Sequence, residues 1–311
     1  MKLPFDFANK LLLRLVLPGA LLAALFWPVL LALRVGLDLE APDAVLAPVC
    51  VIAFGWLMLF VDMPVYMLAQ GRRFWPAWLK RRAVAAEAGR LTRLTQARRE
   101  AGEDMAREYD LEIRQFPLTS QGEPTARHPT RLGNLISASE TYPDRKYGID
   151  GAFGWYRLWV VIDKDLRAEL DDQQALVDSA LYGAAIAGLS TIVCLIYALV
   201  RLTTGQALIY ALPAAPILIV LSAASAGASA LLYRACLTAQ AHYGELFAAL
   251  FDQHVDRFGF KTILGELEAR LPDAGLANAS NQERARAAVR FLRWHKYRPA
   301  GETKNRTVGD W

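Results

Sequence analysis

The side chains that could carry out chemistry in this chain do not form a recognisable reactive group. Asp144 and Asp150 are a carboxylate pair only by proximity in the sequence, and solvated or helix-capping roles suit them better than acid–base catalysis. Asp252 and His254 are two residues apart, so on a helix they point in different directions rather than toward one metal ion. The sequence therefore indicates no catalytic residue, no cofactor-binding residue and no metal ligand.

The cysteines and a glycine-rich stretch lead to the same interpretation. Cys50, Cys194 and Cys236 have no neighbours at metal-ligand spacing, and an odd number of cysteines gives no disulfide framework. They are expected to be small apolar packing residues. The glycines of Gly148–Gly154 lack the strand–turn–helix context and the Lys-Ser/Thr pair of a phosphate-binding loop. No cofactor is expected.

Four long apolar segments are the elements that must position any functional side chain. They cover residues 11–37, 44–69, 176–202 and 207–232. Each exceeds the roughly 20 residues that a helix needs to cross about 30 Å of hydrocarbon. The sequence predicts a mainly all-α integral membrane protein with four transmembrane helices in two hairpins and a cytoplasmic helical region.

The spacing of these spans divides the chain into four segments. Residues 1–70 are predicted to form the first transmembrane hairpin, and residues 71–175 a cytoplasmic helical and interfacial region. Residues 176–235 are predicted to form the second hairpin, and residues 236–311 the C-terminal cytoplasmic helices and tail. Helical composition continues over residues 78–115, where a thin apolar stripe requires a partner surface.

Basic residues predict the orientation of the chain in the membrane. They are concentrated before the first span and after the second, whereas the first hairpin loop carries Asp38, Glu40 and Asp43. Cytoplasmic loops carry an excess of lysine and arginine. Both termini and the middle region are therefore predicted to be cytoplasmic, in a multi-pass membrane protein.

Asp62 is an acidic residue inside the predicted second span. A carboxylate in hydrocarbon is costly, and such residues are functional candidates by default. Asp62 lies toward the cytoplasmic third of its span, where a structural ion pair with Arg14, Arg72 or Arg73 is the favoured interpretation. A role for Asp62 in an ion or proton pathway is the alternative.

Small residues in the third and fourth spans predict close helix packing. Glycine lets a neighbouring backbone approach, and a serine hydroxyl can hydrogen-bond to an adjacent helix. The two spans are expected to pack against each other or through an oligomer interface. The residues concerned are Gly183, Gly188, Ser222, Ser225, Gly227 and Ser229.

Aromatic residues in the middle region suggest contact with the membrane surface. Residues 153–162 are interpreted as an interfacial or re-entrant piece, with a buried element of a small cytoplasmic domain as the alternative. The residues expected at the interface are Trp75, Trp78, Trp155, Tyr156, Arg157 and Trp159. Outside these elements, His128 is expected to be a solvated loop histidine, and Asn281 is expected to cap a last helix over residues 282–297.

Short sequence runs in the chain resemble those of a known group of proteins. RLGN (131–134), YGID (147–150) and WYRLW (155–159), together with the later stretch 243–260, cover about a sixth of the chain. They resemble the pattern of an uncharacterised family of bacterial four-span integral membrane proteins. The resemblance implies a bacterial inner-membrane location and carries no activity with it.

Taken together, these features favour a protein without enzymatic activity. The leading hypothesis is a membrane-anchored scaffold, sensor or effector that forms homo-oligomers or binds a cytoplasmic protein partner. An oligomeric ion channel or small transporter is the alternative, and a membrane-embedded lipid-modifying enzyme is a second one. The net charge of +4 is small and its basic residues adjoin the spans, so membrane lipids are expected partners and nucleic acid is not.

Overall fold

The computed structural model describes residues 12–38, 42–119, 121–204, 213–258, 260–270, 276–294, 296–297 and 306–307. These residues are almost entirely helical, which confirms the predicted all-α class. The chain divides into two compact units: residues 1–69 with 171–240, and residues 70–170 with 241–311. The units divide the chain after residues 69, 170 and 240.

The described helices follow one another along the chain in this order. A π-helical turn (Leu12–Val16) leads into α1 (Leu17–Gly36), α2 (Asp43–Phe60) and α3 (Asp62–Ala69). Next come α4 (Ala77–Glu100), α5 (Glu103–Ile113), α6 (Arg131–Tyr147) and α7 (Gly151–Val161). The two longest are α8 (Lys164–Thr204) and α9 (Ala215–His254), and each contributes residues to both units. A 3-10 turn (Val255–Phe258), α10 (Phe260–Arg270), a second turn (Leu276–Asn278) and α11 (Asn281–Trp294) precede a short antiparallel pair, β1 (Lys296–Tyr297) with β2 (Arg306–Thr307).

Four helical segments are long and apolar enough to cross a membrane. They are Arg14–Gly36, Asp43–Phe60, Lys164–Thr203 and Ala215–Arg257. The last two have 40 and 43 residues, about twice the number that a bilayer requires. The predicted third and fourth spans are therefore parts of longer helices, because polar residues that form helix readily precede one span and follow the other.

The second predicted span is interrupted near its end. Proline has no backbone N–H and clashes with the carbonyl group four residues earlier, and Pro64 lies four residues after Phe60, where the helix is interrupted. The chain bends at Val61, and the amide of Val65 restarts the helical pattern by donating to the carbonyl oxygen of Val61 at 2.9 Å. Asp62 consequently occupies the first residue of α3, where the helix dipole favours a negative charge.

Helices α1 and α2 of the first unit pack through two glycines. A Cβ atom on Gly19 would lie 2.1 Å from the carbonyl oxygen of Val51, and one on Gly55 would lie 2.6 Å from that of Leu15. Only hydrogen fits at these positions, so the two backbones are almost in contact. Beside this contact, Leu22, Met58, Tyr182 and Ile186 form a small buried cluster, which brings α8 against the same pair.

The second unit has a separate hydrophobic core. Its largest cluster joins buried residues of α7, the end of α9 and α11, with Ile149 and Leu170 from the neighbouring segments. Phe247 stacks on Trp155 with ring centroids 5.0 Å apart and contacts Phe251 at 4.9 Å. The buried members are Ile149, Leu158, Ile162, Leu170, Phe247, Leu250, Phe251, Ala285, Ala288 and Val289.

Helices α4 and α5 form a pair that contributes no buried residue to this core. The predicted continuous helix over residues 78–115 breaks at Ala101 and Gly102, since Gly102 has an extended backbone and precedes α5. Arg98 pairs with Asp110, and Arg90 pairs with Glu112 at 2.7 Å, so ionic contacts hold the two helices together. Neither helix contains a fully buried residue.

The last helix begins one residue earlier than predicted. Ser280 accepts a hydrogen bond from the amide of Glu283, and the Glu283 carboxylate accepts one from the amide of Ser280 at 2.9 Å. This reciprocal arrangement is a capping box. The cap is therefore Ser280, and the prediction that Asn281 has this role was wrong.

Candidate functional site

A cluster of polar side chains is buried among the helices of the first unit. Its centre is Asp178, whose carboxylate forms a salt bridge with Arg14 at 2.6 Å. The other carboxylate oxygen accepts a hydrogen bond from the Tyr66 hydroxyl at 2.5 Å and one from the Gln174 amide at 2.7 Å. Both oxygens of this buried carboxylate are thus satisfied, which offsets part of the cost of removing its charge from water.

A second carboxylate, that of Asp62, joins the cluster through Tyr182, which lies one helical turn after Asp178 on α8. The hydroxyl of Tyr182 donates to Asp62 at 2.6 Å, and Tyr182 itself is buried. Gln174, Asp178 and Tyr182 are spaced by four residues, so they lie on one face of α8. That face joins the π-helical turn, through Arg14, and α3, through Tyr66 and Asp62.

The local sequence explains why these side chains converge. The Pro64 interruption ends α2 and places Asp62 at the start of α3. Arg14 lies in the π-helical turn that Pro18 follows, and π-helical turns often mark functional positions. The Nε atom of Arg14 is buried without a hydrogen-bond partner among the described residues, so Asp178 is the main compensation for burial of this guanidinium.

This arrangement suits an ionic lock better than a reactive centre. Asp178 is fully engaged, and tyrosine hydroxyl groups donate hydrogen bonds to both carboxylates. The cluster ties three elements of the unit to one another. A change in the charge of Arg14, Asp62 or Asp178 would therefore alter helix packing directly.

The structure separates the two residues that the sequence paired. Arg14 contacts Asp178, and Asp62 accepts from Tyr182, so within the described residues Arg14 and Asp62 form no salt bridge. The sequence reasoning missed Asp178, although it lies inside the predicted third span of residues 176–202. The spacing of Gln174, Asp178 and Tyr182 was the signal that could have revealed a polar helix face.

Some of the predicted packing residues of the third and fourth spans lie between α8 and α9, and others do not. Ser222 donates to the carbonyl oxygen of Thr191 at 3.0 Å, and Ser229 donates to that of Ala184 at 2.8 Å. Gly183 and Gly188 face α9, since a Cβ atom on them would lie 3.0 Å from Leu232 and 3.4 Å from Ser229. Gly227 is exposed with no atom within 4 Å of its Cβ position, and Ser225 is half-buried.

The predicted interface residues also fall into two groups. Trp155 and Trp159 pack against the core of the second unit, with their ring centroids 5.7 Å apart. Trp78 and Tyr156 are exposed, while Trp75 is partly buried. Arg157 lies over the ring of Phe153 at 3.9 Å. Helix α7 therefore has one face in the core and one face open.

The glycines and the asparagine of the RLGN and YGID runs have definite packing roles in the second unit. The Asn134 side chain is buried and accepts hydrogen bonds from the amides of Arg127 and His128 at 3.0 and 2.9 Å, which fixes the preceding loop. Gly148 ends α6 with a φ angle of +72°. A Cβ atom there would lie 2.3 Å from the carbonyl oxygen of Gln282, so glycine permits α11 to approach.

A surface clamp joins α6 to α9 in the same unit. Asp252 accepts hydrogen bonds from the hydroxyls of Tyr142 and Tyr147 at 2.9 and 2.6 Å and pairs with Lys146 at 3.1 Å. The ammonium group of Lys146 lies 5.3 Å from the centroid of each tyrosine ring. The hydrogen bonds that Lys146 donates to Tyr142 and Asp252 raise the pKa of its ammonium group, so this lysine stays charged.

The described residues were compared with the requirements of a metal site and the chain with known proteins. In the residues that the structure describes, no three histidine, cysteine, aspartate or glutamate side chains come close enough to hold a metal ion. The three cysteines are buried and free. Comparison of the chain with protein-family models, with curated proteins and with solved structures finds no match. The family resemblance of the RLGN and YGID runs therefore stays a prediction.

His128 is partly buried rather than solvated, and it gives a prediction about pH. Burial, together with the charges of Arg72, Lys80 and Arg127, lowers the pKa of His128 to about 4. In the unfolded chain a histidine titrates near 6.5. The unfolded state therefore binds more protons between these two pH values, and the stability falls as the pH is lowered through this window.

Replacing His128 with glutamine is expected to remove this part of the acid sensitivity. The thermal midpoint of the wild-type chain should fall further between pH 7 and pH 5 than that of His128→Gln, because carboxylates contribute equally to both. Thermal unfolding of the two proteins in the same detergent measures the difference. An equal fall in both midpoints would contradict the burial of His128.

Proposed function

We propose that the protein is a non-enzymatic, membrane-anchored binding module whose second unit binds a cytoplasmic protein. In this proposal α1 with α2, and α8 with α9, form two transmembrane hairpins in a bacterial inner membrane. Both termini and the second unit are cytoplasmic, membrane lipids surround the spans, and the chain forms a homo-oligomer. The excess of basic residues beside the first two spans supports this orientation.

The observation that carries the proposal is the α4–α5 helix pair. These helices have 24 and 11 residues, yet none of their side chains is fully buried. Helices in proteins obtain most of their stability from packing an apolar face. Met105 and Leu111 are about half exposed on α5, with charged residues around them. Such a surface supports binding to another protein.

Replacing Leu111 with glutamate tests the proposal. The protein is purified from its native host after mild crosslinking, and its companions are identified and counted. A stoichiometric cytoplasmic companion is expected with the wild-type chain and with the control Ala168→Glu, which alters an exposed position on α8. The companion should be lost with Leu111→Glu. A companion that persists with Leu111→Glu, or a homo-oligomer without any companion, would contradict the assigned surface.

An oligomeric ion channel or small transporter is the second candidate. The cluster of Arg14, Asp62 and Asp178 favours it, because ionisable groups within membrane spans often mark pathways for ions or protons. Four helices line a pathway only sparsely, so this candidate requires an oligomer. In liposomes, Asp62→Asn should abolish flux while leaving the expression level intact. Unchanged flux in this variant would reject the pathway.

A further inference from the structure

The second unit has a surface groove beside α7. It measures about 320 Å³ and lies between α7 and the 3-10 turn that follows α9. Its lining combines two arginines with aromatic and aliphatic side chains. These residues are Tyr156, Arg157, Val160, Val161 and Arg257.

The apolar part of the groove is unusually open for a folded surface. Tyr156 is 77% exposed and Val160 is 73% exposed, whereas Leu158 on the opposite face of α7 is fully buried in the core. The core therefore does not require Tyr156 or Val160 to be apolar. Adjacent exposed apolar side chains with a polar rim are characteristic of binding surfaces.

The two arginines of the groove lack acidic partners. Within the described residues, neither Arg157 nor Arg257 forms a salt bridge, whereas Arg284 and Arg286 of the same unit pair with Glu268 and Asp144. The guanidinium of Arg157 is held over the ring of Phe153 instead. The groove thus presents two positive charges beside an apolar surface.

The backbone beside the groove is well fixed. Arg167 donates to the carbonyl oxygens of Ile162 and Val160 at 3.0 and 3.1 Å, which satisfies the carboxyl end of α7. The opposite face of α7 is anchored by Leu158 and Gly154, both buried. A preformed surface loses little conformational freedom when it binds a ligand.

We propose that this groove binds an acidic peptide segment that also carries an apolar side chain, supplied by the cytoplasmic partner. Carboxylates of the segment would pair with Arg157 and Arg257, and its apolar side chain would cover Tyr156 and Val160. This inference rests on the proposed function and specifies the chemistry of the partner. It adds a second contact surface to the α4–α5 helix pair.

Two other occupants of this groove have to be distinguished from an acidic peptide. A second copy of the chain is disfavoured because five lining residues provide far less than the roughly 1,600 Å² of buried area in a standard interface. A phospholipid headgroup could pair its phosphate with the same arginines, and the lipid composition of the nanodiscs distinguishes it from a peptide.

Binding of defined peptides to the full chain tests the inference. One probe is a fluorescein-labelled hexapeptide that alternates glutamate with leucine, and its control replaces every glutamate with glutamine. Fluorescence anisotropy is recorded with the purified full chain in nanodiscs of phosphatidylcholine. The acidic peptide is expected to bind at least about tenfold more tightly than the neutral one. The double variant Arg157→Gln/Arg257→Gln should remove this preference.

Two controls separate this site from general electrostatic attraction. Arg290→Gln removes one exposed arginine on α11, outside both proposed surfaces, and should leave peptide binding unchanged. Replacing Val160 with serine should weaken binding of the acidic peptide, because the leucine side chain loses its apolar contact. Equal affinity of the wild type and the double arginine variant for the acidic peptide would overturn the proposal. An unchanged affinity in Val160→Ser would also overturn it.

Lipid composition decides the remaining alternative. If anionic phospholipids occupy the groove, nanodiscs containing phosphatidylglycerol should abolish peptide binding, and that result would also overturn the proposal. Unchanged binding in those nanodiscs would support a protein ligand. If the wild-type chain does not bind the acidic peptide but retains the companion that depends on Leu111, the groove alone is rejected. If it binds the peptide but has no such companion, the assigned α4–α5 surface is rejected.

Discussion

Asp178→Ala is expected to lower the free energy of unfolding by about 1–3 kcal/mol, because it removes the buried partner of the part-exposed Arg14 guanidinium. The same change removes the acceptor for the Tyr66 hydroxyl and the Gln174 amide. The thermal midpoint of the purified protein in detergent should therefore fall by several degrees. Tryptophan fluorescence provides the readout, since the chain has 8 tryptophans.

A double variant distinguishes the ion pair from simple loss of packing. Replacing Asp178 with leucine and Arg14 with methionine removes both charges and retains apolar volume, so its midpoint should lie above that of Asp178→Leu alone. The coupling between the two sites measures the interaction. Additive losses of stability would show that Arg14 and Asp178 do not depend on each other, and would contradict the ionic lock.

Gly19→Ala is expected to destabilise the first unit by about 1–3 kcal/mol, although it adds only one methyl group. That methyl group would lie 2.1 Å from the carbonyl oxygen of Val51, which belongs to the backbone and cannot rotate away. Helices α1 and α2 would have to separate. Thermal unfolding in detergent measures the loss.

Gly227→Ala is the matched control for this prediction. Gly227 lies within α9, and no atom lies within 4 Å of its Cβ position, so the added methyl group is expected to raise the midpoint slightly, because alanine favours a helix over glycine. Equal destabilisation by both substitutions would contradict the assigned α1–α2 contact. Gly227→Leu extends the comparison to the proposed oligomer: a reduced oligomer with an unchanged monomer fold would place an intermolecular contact at this exposed face.

The four apolar segments and the all-α class could be predicted from the sequence because hydropathy and segment length depend on local composition. The packing of those segments could not. Close contacts were predicted for the glycines and serines of the third and fourth spans, and Ser222 and Ser229 do contact α8. The close backbone approach of α1 and α2 instead involves Gly19 and Gly55, which are single glycines in apolar segments and give no local pattern.

The buried polar cluster shows the same limit of local patterns. Asp62 stands out because it interrupts an apolar run, but its partner Tyr182 is 120 residues away in the chain. Asp178 lies near the polar start of the third span, so composition alone assigns it to a solvated boundary. Only the arrangement of α3 and α8 with the π-helical turn makes it the buried centre of the cluster.

The aromatic stretch over residues 153–162 demonstrates how one composition can serve two environments. Tryptophan and tyrosine are enriched both at membrane surfaces and in protein cores. The stacking of Trp155 on Phe247 supports the alternative of a buried element, while the exposure of Tyr156 and Val160 leaves a surface available for binding. Helix α7 thus has both a structural face and a candidate functional face.

Labelling of single cysteines tests the membrane orientation on which the proposed function depends. One cysteine replaces Ala44, exposed at the start of α2, and another replaces Glu103, exposed at the start of α5. The native cysteines are buried and should react slowly. A membrane-impermeant maleimide applied to spheroplasts should label Ala44→Cys at once, and Glu103→Cys only after the membrane is disrupted. The reverse pattern would place the second unit outside the cell and contradict binding to a cytoplasmic partner.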